Sequence, residues 1–126
     1  MQKQVIVMRH DLKMRMGKVC SQGAHASLLA ILNYKAIRNE NTICLDISDY
    51  HEWLDDSFYT KVTVRVESEE ELLSVYANAK NKGIICSLVQ DAGKTEFHGV
   101  PTYTCCAIGP WDTEVIDTIT GHLKLL

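Results

Sequence analysis

The sequence predicts an α/β fold, a sandwich of helices on a mixed sheet. Short β-rich apolar runs alternate along the chain with segments of helical period. At 126 residues the chain is long enough to bury one core and too short for two. No linker, internal repeat or low-complexity tract breaks the pattern. Segments ordered this way pack as a sheet with helices against its faces.

Val5 to Met8 is a continuous apolar run ending in charge, the mark of a buried strand. A basic loop, Arg9 to Gly17, follows. From about Lys18 apolar residues recur three and four apart (Val19, Ala24, Leu28, Leu29, Ile31, Leu32), which predicts a helix fading between Ala36 and Asn41. Residues 42–60 are the least readable, with Tyr50, Trp53 and Leu54 fitting one face of a short helix. Lys61 to Val66 alternates and is β-branched, a strand. Ser68-Glu69-Glu70-Glu71 is a capping box opening a helix that Gly83 stops. Ile84 to Val89 is a third strand, and the polar loop Gln90 to Thr95 follows it. Thr102 to Ile108 is a fourth strand, expected to pair antiparallel with the third because the connection between them need not hold a helix. Gly109-Pro110 is expected to open a last helix to about Thr118, with Val115, Ile116 and Ile119 inward, and an apolar tail closes the chain.

An apolar fraction of 46% and a charged fraction of 23% are ordinary for a soluble protein. No apolar run reaches the length of a membrane span or of a signal-peptide core, so no membrane partner and a cytoplasmic location are expected. Cys20, Cys44, Cys86, Cys105 and Cys106 are odd in number and scattered, which suits reduced thiols. The net charge of −3 conceals an asymmetry: residues 1–38 carry seven basic residues against one acid, Asp11. Four of them (Arg9, Lys13, Arg15, Lys18) fall in the first loop and the turn after it, a local basic surface rather than a wholly cationic protein.

Both polar loops begin where a strand ends, and ligands of α/β sheets collect at the carboxyl ends of strands. If those two strands run parallel, Lys13, Arg15 and Lys18 meet Asp91, Lys94 and Thr95. Fixed charge beside a carboxylate and a hydroxyl suits an anionic backbone and the polarisation of an ester or phosphate; an ion-paired turn is the bland alternative. Gly17-Lys18 lacks the spacing of a P-loop, and no nucleophile elbow or dinucleotide fingerprint is present. His10, His25, His51, His98 and His122 form no ligand pair and the cysteines lack metal spacing, so no metal site is expected. His25 shares a helix face with Gln22, while Cys20, five residues from His25, points elsewhere and makes a poor nucleophilic pair with it.

The segments Val5 to Met14, Gly17-Lys18, Gln22 and His25-Ala26 together resemble the N-terminal signature of type 2 peptidyl-tRNA hydrolases. Ser87 to Thr95 is similar to that family's central loop, and Ala107 to Pro110 and Ile119 to Leu125 to its last strand and tail. The likeness runs in order through nearly the whole chain and is poorest over residues 38–60. It implies one three-layer α/β/α domain over residues 1–126 with a mixed four-stranded sheet, often found as a homodimer. It implies a carboxylic-ester hydrolase that cleaves the bond between a peptide, or an N-blocked amino acid, and the 3′-terminal ribose of tRNA, freeing tRNA stalled by abortive translation, with no metal or organic cofactor.

The family's implicated residues match Lys18, Asp91, Thr95 and Thr104, with His25 as a further catalytic candidate. Arg9, Lys13, Arg15, Gln22 and Lys94 are the candidates for holding tRNA. Asp91 would accept a proton from water or hold it, Lys18 would stabilise the oxyanion or keep Asp91 ionised, and Thr95 and Thr104 would position the water. Arg15-Met16, Glu96, Ala107 and Cys20-Ser21 depart from the family's usual residues. Arg15-Met16 and Glu96 favour the competing reading, a non-catalytic tRNA-binding or adaptor protein on the same fold.

Overall fold

A computed structural model describes residues 1–126. Its centre is β1 (Gln2–Arg9), and a strand with neighbours on both edges and helices on both faces needs an almost unbroken apolar run. Val5 to Met8 supplies it, and all four residues are buried. β1 pairs parallel with β4 (Lys61–Val66) and antiparallel with β6 (Thr102–Asp112). β6 pairs antiparallel with β5 (Cys86–Asp91), which gives a mixed four-stranded sheet in the order β4-β1-β6-β5.

One face carries α1 (Met16–Leu32), laid against β1, β5 and β6. Its buried stripe, Gln22, Gly23, Ala26 and Ala30, is small at three of four positions, so the helix sits close to the sheet. A Cβ on Gly23 would lie 3.7 Å from Ile6 and 3.8 Å from Met8. α3 (Glu69–Asn81) and α4 (Thr113–Thr120) cover the opposite face, and α2 (His51–Asp55) packs by β1. The three-layer α/β/α arrangement is thus present. The Ser68 hydroxyl accepts the Glu71 amide at 3.1 Å, as the capping box predicts.

The buried Gln4 locks the layers. Its Nε2 donates to the carbonyls of Gly109 (3.1 Å) and Ser27 (3.3 Å), and its Oε1 accepts from the Ser27 hydroxyl at 2.6 Å. A buried amide with every arm engaged escapes the penalty of an unmet polar group.

Three expectations fail locally. α1 does not fade through Ala36 to Asn41; it stops at Leu32, and β2 (Ala36–Arg38) and β3 (Ile43–Leu45) form a separate antiparallel hairpin. The asparagines that weaken the helical pattern belong to its turn, where the Asn39 amide donates to Thr42 at 2.9 Å. Gly109-Pro110 does not open a helix: β6 runs through it to Asp112, and α4 begins at Thr113. Gly109 has φ +96°, and a Cβ there would sit 2.5 Å from the Lys3 carbonyl oxygen, so the strand crosses β1 only with glycine at that point. β5 starts at Cys86, two residues later than expected, although Ile84 and Ile85 are buried as that run predicts.

Candidate active site

β1 and β5 each pair antiparallel with β6, so they point the same way and the loops leaving them lie at one end of the sheet. α1 starts at that end, and Lys18 stands in its first turn. A cation beside the positive end of a helix is unfavourable by itself and wants an anion. Asp91, the last residue of β5, provides it: Lys18 Nζ donates to Asp91 Oδ1 at 2.7 Å and to the Thr95 hydroxyl at 3.0 Å. Both charged side chains are mostly buried, 16% and 14% exposed. The Phe97 ring flanks the ammonium, its centroid 5.9 Å away.

The second oxygen of Asp91 is fixed by its own loop. Gly93 N–H donates to Oδ2 at 2.8 Å, the side chain accepting from the amide two residues on. Gly93 has φ +83°, and a Cβ there would meet the Val100 carbonyl oxygen at 2.2 Å, so only glycine closes this turn. The Lys18 hydrogen bond holds the Asp91 carboxyl below the usual carboxylate range. Burial works against that shift, and the Gly93 amide and the charges of Lys18 and His25 reinforce it.

Behind the ion pair is a buried relay. Gln22 Nε2 lies 3.5 Å from Asp91 Oδ1, and Gln22 Oε1 accepts from the Thr104 hydroxyl. Thr104 on β6 is wholly enclosed and Gln22 is 4% exposed. Thr104 therefore acts on the site only through Gln22, and Gln22 belongs to the interior of the site rather than to a surface offered to a polyanion. His25 is exposed one turn further along α1, close enough for its charge to act on Asp91.

The basic residues divide. Lys13, Arg15 and Lys94 are exposed around the ion pair, Arg15 at 90%. Arg9 is not free: its guanidinium grips Asp11 at 2.6 and 3.1 Å, donates to the Tyr103 carbonyl at 3.1 Å, and is 11% exposed. Arg15 Nε lies 4.0 Å from Glu96 Oε1, so an acid of the second loop faces a base of the first. Sequence reasoning did not single out Gly93 as a ligand of Asp91 or Phe97 as the wall beside Lys18; the spacing Asp91-Ala92-Gly93 is the signal that could have found the first.

No three residues of metal-binding type converge anywhere. The five cysteines are unpaired. Burial raises the Cys105 thiol to about 11 and pushes the Cys106 thiol well above its ordinary value, so neither is a thiolate at neutral pH. The largest hollow, about 800 Å³, lies away from this chemistry on the other flank of α1, where Ile6, Met8, Val19 and Ile31 make it apolar. No helix is long and apolar enough to cross a membrane.

A family model described as peptidyl-tRNA hydrolase PTH2 matches residues 2–126. The chain is 44% identical to a peptidyl-tRNA hydrolase of Methanocaldococcus jannaschii, the match covering 98% of this chain and 99% of that one. It is 43% identical to a peptidyl-tRNA hydrolase of Methanopyrus kandleri over 100% of this chain and 99% of that one. With the mitochondrial peptidyl-tRNA hydrolase 2 of Homo sapiens it shares 40% identity over 98% of this chain and 63% of the human protein.

Proposed function

The chain belongs to the peptidyl-tRNA hydrolase PTH2 family, and from that premise we propose how it works as a hydrolase of the ester joining a peptide to tRNA. Water adds to the ester carbonyl carbon and the bond to the 3′-terminal ribose oxygen breaks. The peptide leaves as an acid, and the proton water gave up ends on the ribose hydroxyl. The observation that carries this reading is Lys18 Nζ at 2.7 Å from Asp91 and 3.0 Å from Thr95, at a strand end rimmed by exposed cations.

Lys18, held in place beforehand by Asp91 and Thr95, supplies positive charge where the carbonyl oxygen becomes an oxyanion. Asp91 orients the attacking water and keeps the ammonium in place. Its depressed pKa favours this orienting and electrostatic part over that of a strong base, since an efficient general base titrates near the working pH. Thr95 binds the other side of Lys18 and offers its hydroxyl to the water. Gln22 holds Asp91, Thr104 holds Gln22, and His25 at the mouth is placed to meet the ribose or the peptide. Lys13, Arg15 and Lys94 would receive tRNA phosphates.

The reaction as written needs no metal or cofactor. The freed tRNA would come from abortive translation, and five unpaired thiols suit a cytoplasmic setting. The uncovered apolar flank of α1, with Met16 at 83% and Leu28 at 60% exposure, supports a homodimer.

The deciding experiment is turnover of N-acetyl-aminoacyl-tRNA by the purified protein after exhaustive EDTA treatment. Release of free tRNA at an undiminished rate is expected. Binding without turnover would make the protein an adaptor, and activity restored by zinc alone would overturn the metal-free chemistry.

A further inference from the structure

The sheet has two free edges and the chain treats them differently. At β4 its own C-terminal residues close the edge: the Arg65 amide donates to the Lys124 carbonyl at 2.9 Å and the Leu126 amide to the Thr63 carbonyl at 3.1 Å. At β5 nothing in the chain does so, and β5 is the strand that ends in Asp91. An unprotected edge is ordinarily a liability that proteins cover.

The phase of the ladder fixes which groups that edge presents. Cys86 stands opposite Ile108 and Leu88 opposite Cys106, and the Gly109 amide donates to the Ile85 carbonyl at 2.8 Å. Pairs in an antiparallel ladder alternate between bonded and non-bonded. Ile85 faces its partner, so Cys86 is non-bonded, Ser87 bonded and Leu88 non-bonded. The N–H and C=O of Cys86 and Leu88 therefore point away from β6, into the open edge, and no turn or loop bond uses them.

A groove runs along this edge. Beside Asp91 it is a hollow of about 510 Å³ between α1 and β5, walled by His25, Leu28, Leu32 and Val89. Past Leu29 and Leu88, which line both, a second hollow of about 370 Å³ continues toward Tyr76 and Ile84. The hollow beside Asp91 is mainly apolar, while the second is mixed, with Asn33, Lys80 and Ser87 among its lining residues.

We propose that this groove is the subsite for the peptide part of the substrate, which adds to β5 as a parallel strand. The inference rests on the hydrolase reading above. The scissile carbonyl is the C-terminus of the peptide and must lie at Lys18 and Asp91, so the chain behind it runs back along β5 toward Cys86, in the same direction as that strand. Main-chain pairing at a sheet edge holds a peptide by its backbone, without consulting its side chains. The apolar wall nearest Asp91 (Leu28, Leu32, Val89) accepts varied side chains.

The test compares, in the intact protein, kcat/KM for N-acetyl-aminoacyl-tRNA with that for peptidyl-tRNAs of two, four, six and eight residues. The rate should rise about tenfold and level off near the length of the six-residue strand, the sum of a few main-chain bonds of modest net value. N-methylating the peptide amides should abolish the rise in the wild-type enzyme. In Leu88→Pro, where only an outward N–H is removed, the ratio of hexapeptidyl to acetyl-aminoacyl turnover should shrink toward one. A length profile that is flat while the blocked aminoacyl-tRNA is hydrolysed briskly overturns the groove and leaves the hydrolase intact. A rise that survives N-methylation does the same, as does a dimer that Leu88→Pro dissociates, which would give the edge to a second copy. Failure to hydrolyse any of these esters overturns both.

Discussion

Thr104 donates its hydroxyl proton to Oε1 of Gln22, and so decides which end of that amide faces Asp91. With the oxygen taken, Nε2 is the group left for the carboxylate. Thr104→Val keeps the volume and removes this selection. Turnover of N-acetyl-aminoacyl-tRNA should fall about tenfold in kcat with KM little changed, an effect near 1.4 kcal/mol on the barrier. Thr104→Ser should restore most of it. A loss confined to KM, or no rescue by serine, would leave Thr104 as packing only.

Lys18 and Asp91 should behave as one unit. Lys18→Ala and Asp91→Asn are each expected to cost on the order of 100-fold or more in kcat. The double variant should be little worse than the poorer single one, because residues serving one step are not additive. Fully additive losses, in proteins that melt near the wild-type temperature, would mean that the two act separately.

Acid should separate this pair from an ordinary surface bridge. The folded Asp91 carboxyl titrates below its unfolded value, so its contribution to stability is complete above about pH 3.9, the ordinary aspartate value, and is lost as pH falls through the lower folded pKa. Between neutral pH and that range the Asp91 contribution should stay constant. Below it, Asp91→Asn should lose stability less steeply than wild type; parallel melting curves from pH 5 to pH 2 would show the carboxyl unshifted.

Salt dependence should sort the cations. Lys13→Ala, Arg15→Ala and Lys94→Ala should each weaken tRNA binding and lower the slope of log affinity against log salt by about one unit. Arg9→Ala should instead lower the melting temperature, because it frees Asp11 and leaves the Tyr103 carbonyl without its donor. Equal slopes for all four variants would contradict this division.

The apolar flank of α1 predicts self-association. Ala24→Arg places a charge in the 800 Å³ hollow at an exposed position, where the monomer fold should tolerate it. Sedimentation should find a wild-type dimer and a folded monomeric variant, and a wild-type monomer at high concentration would remove the dimer.

Much of this was legible because burial writes itself into residue type. Val5 to Met8 read as a buried strand since both faces of β1 are covered, and Ser68 announced α3 because an unpaired helix amide needs an acceptor. The hairpin at Ala36–Leu45 was not legible: its strands have three residues each and leave Ile37 and Ile43 exposed, so no periodicity records them. Gly109-Pro110 reads locally as a breaker, and its place within a strand rests on distant partners, the Ile85 carbonyl and the Gln4 amide. In the site, loop residues after strands pointed to Lys18, Asp91 and Thr95. Gln22 and Thr104 could not be given their arrangement that way, since their contact joins positions 82 residues apart.

The order of the strands also sets when the protein can exist during its own synthesis. β1 precedes both of its neighbours in the chain and lies between them; its parallel neighbour begins at Lys61 and its antiparallel neighbour at Thr102. A nascent chain that has emerged only as far as β5 therefore carries the apolar run Val5 to Met8 with one edge bare, and such long-range pairing is slow to form and prone to aggregate. The strand that closes β1 is the one that brings Thr104. Core and site are completed together, when that strand arrives.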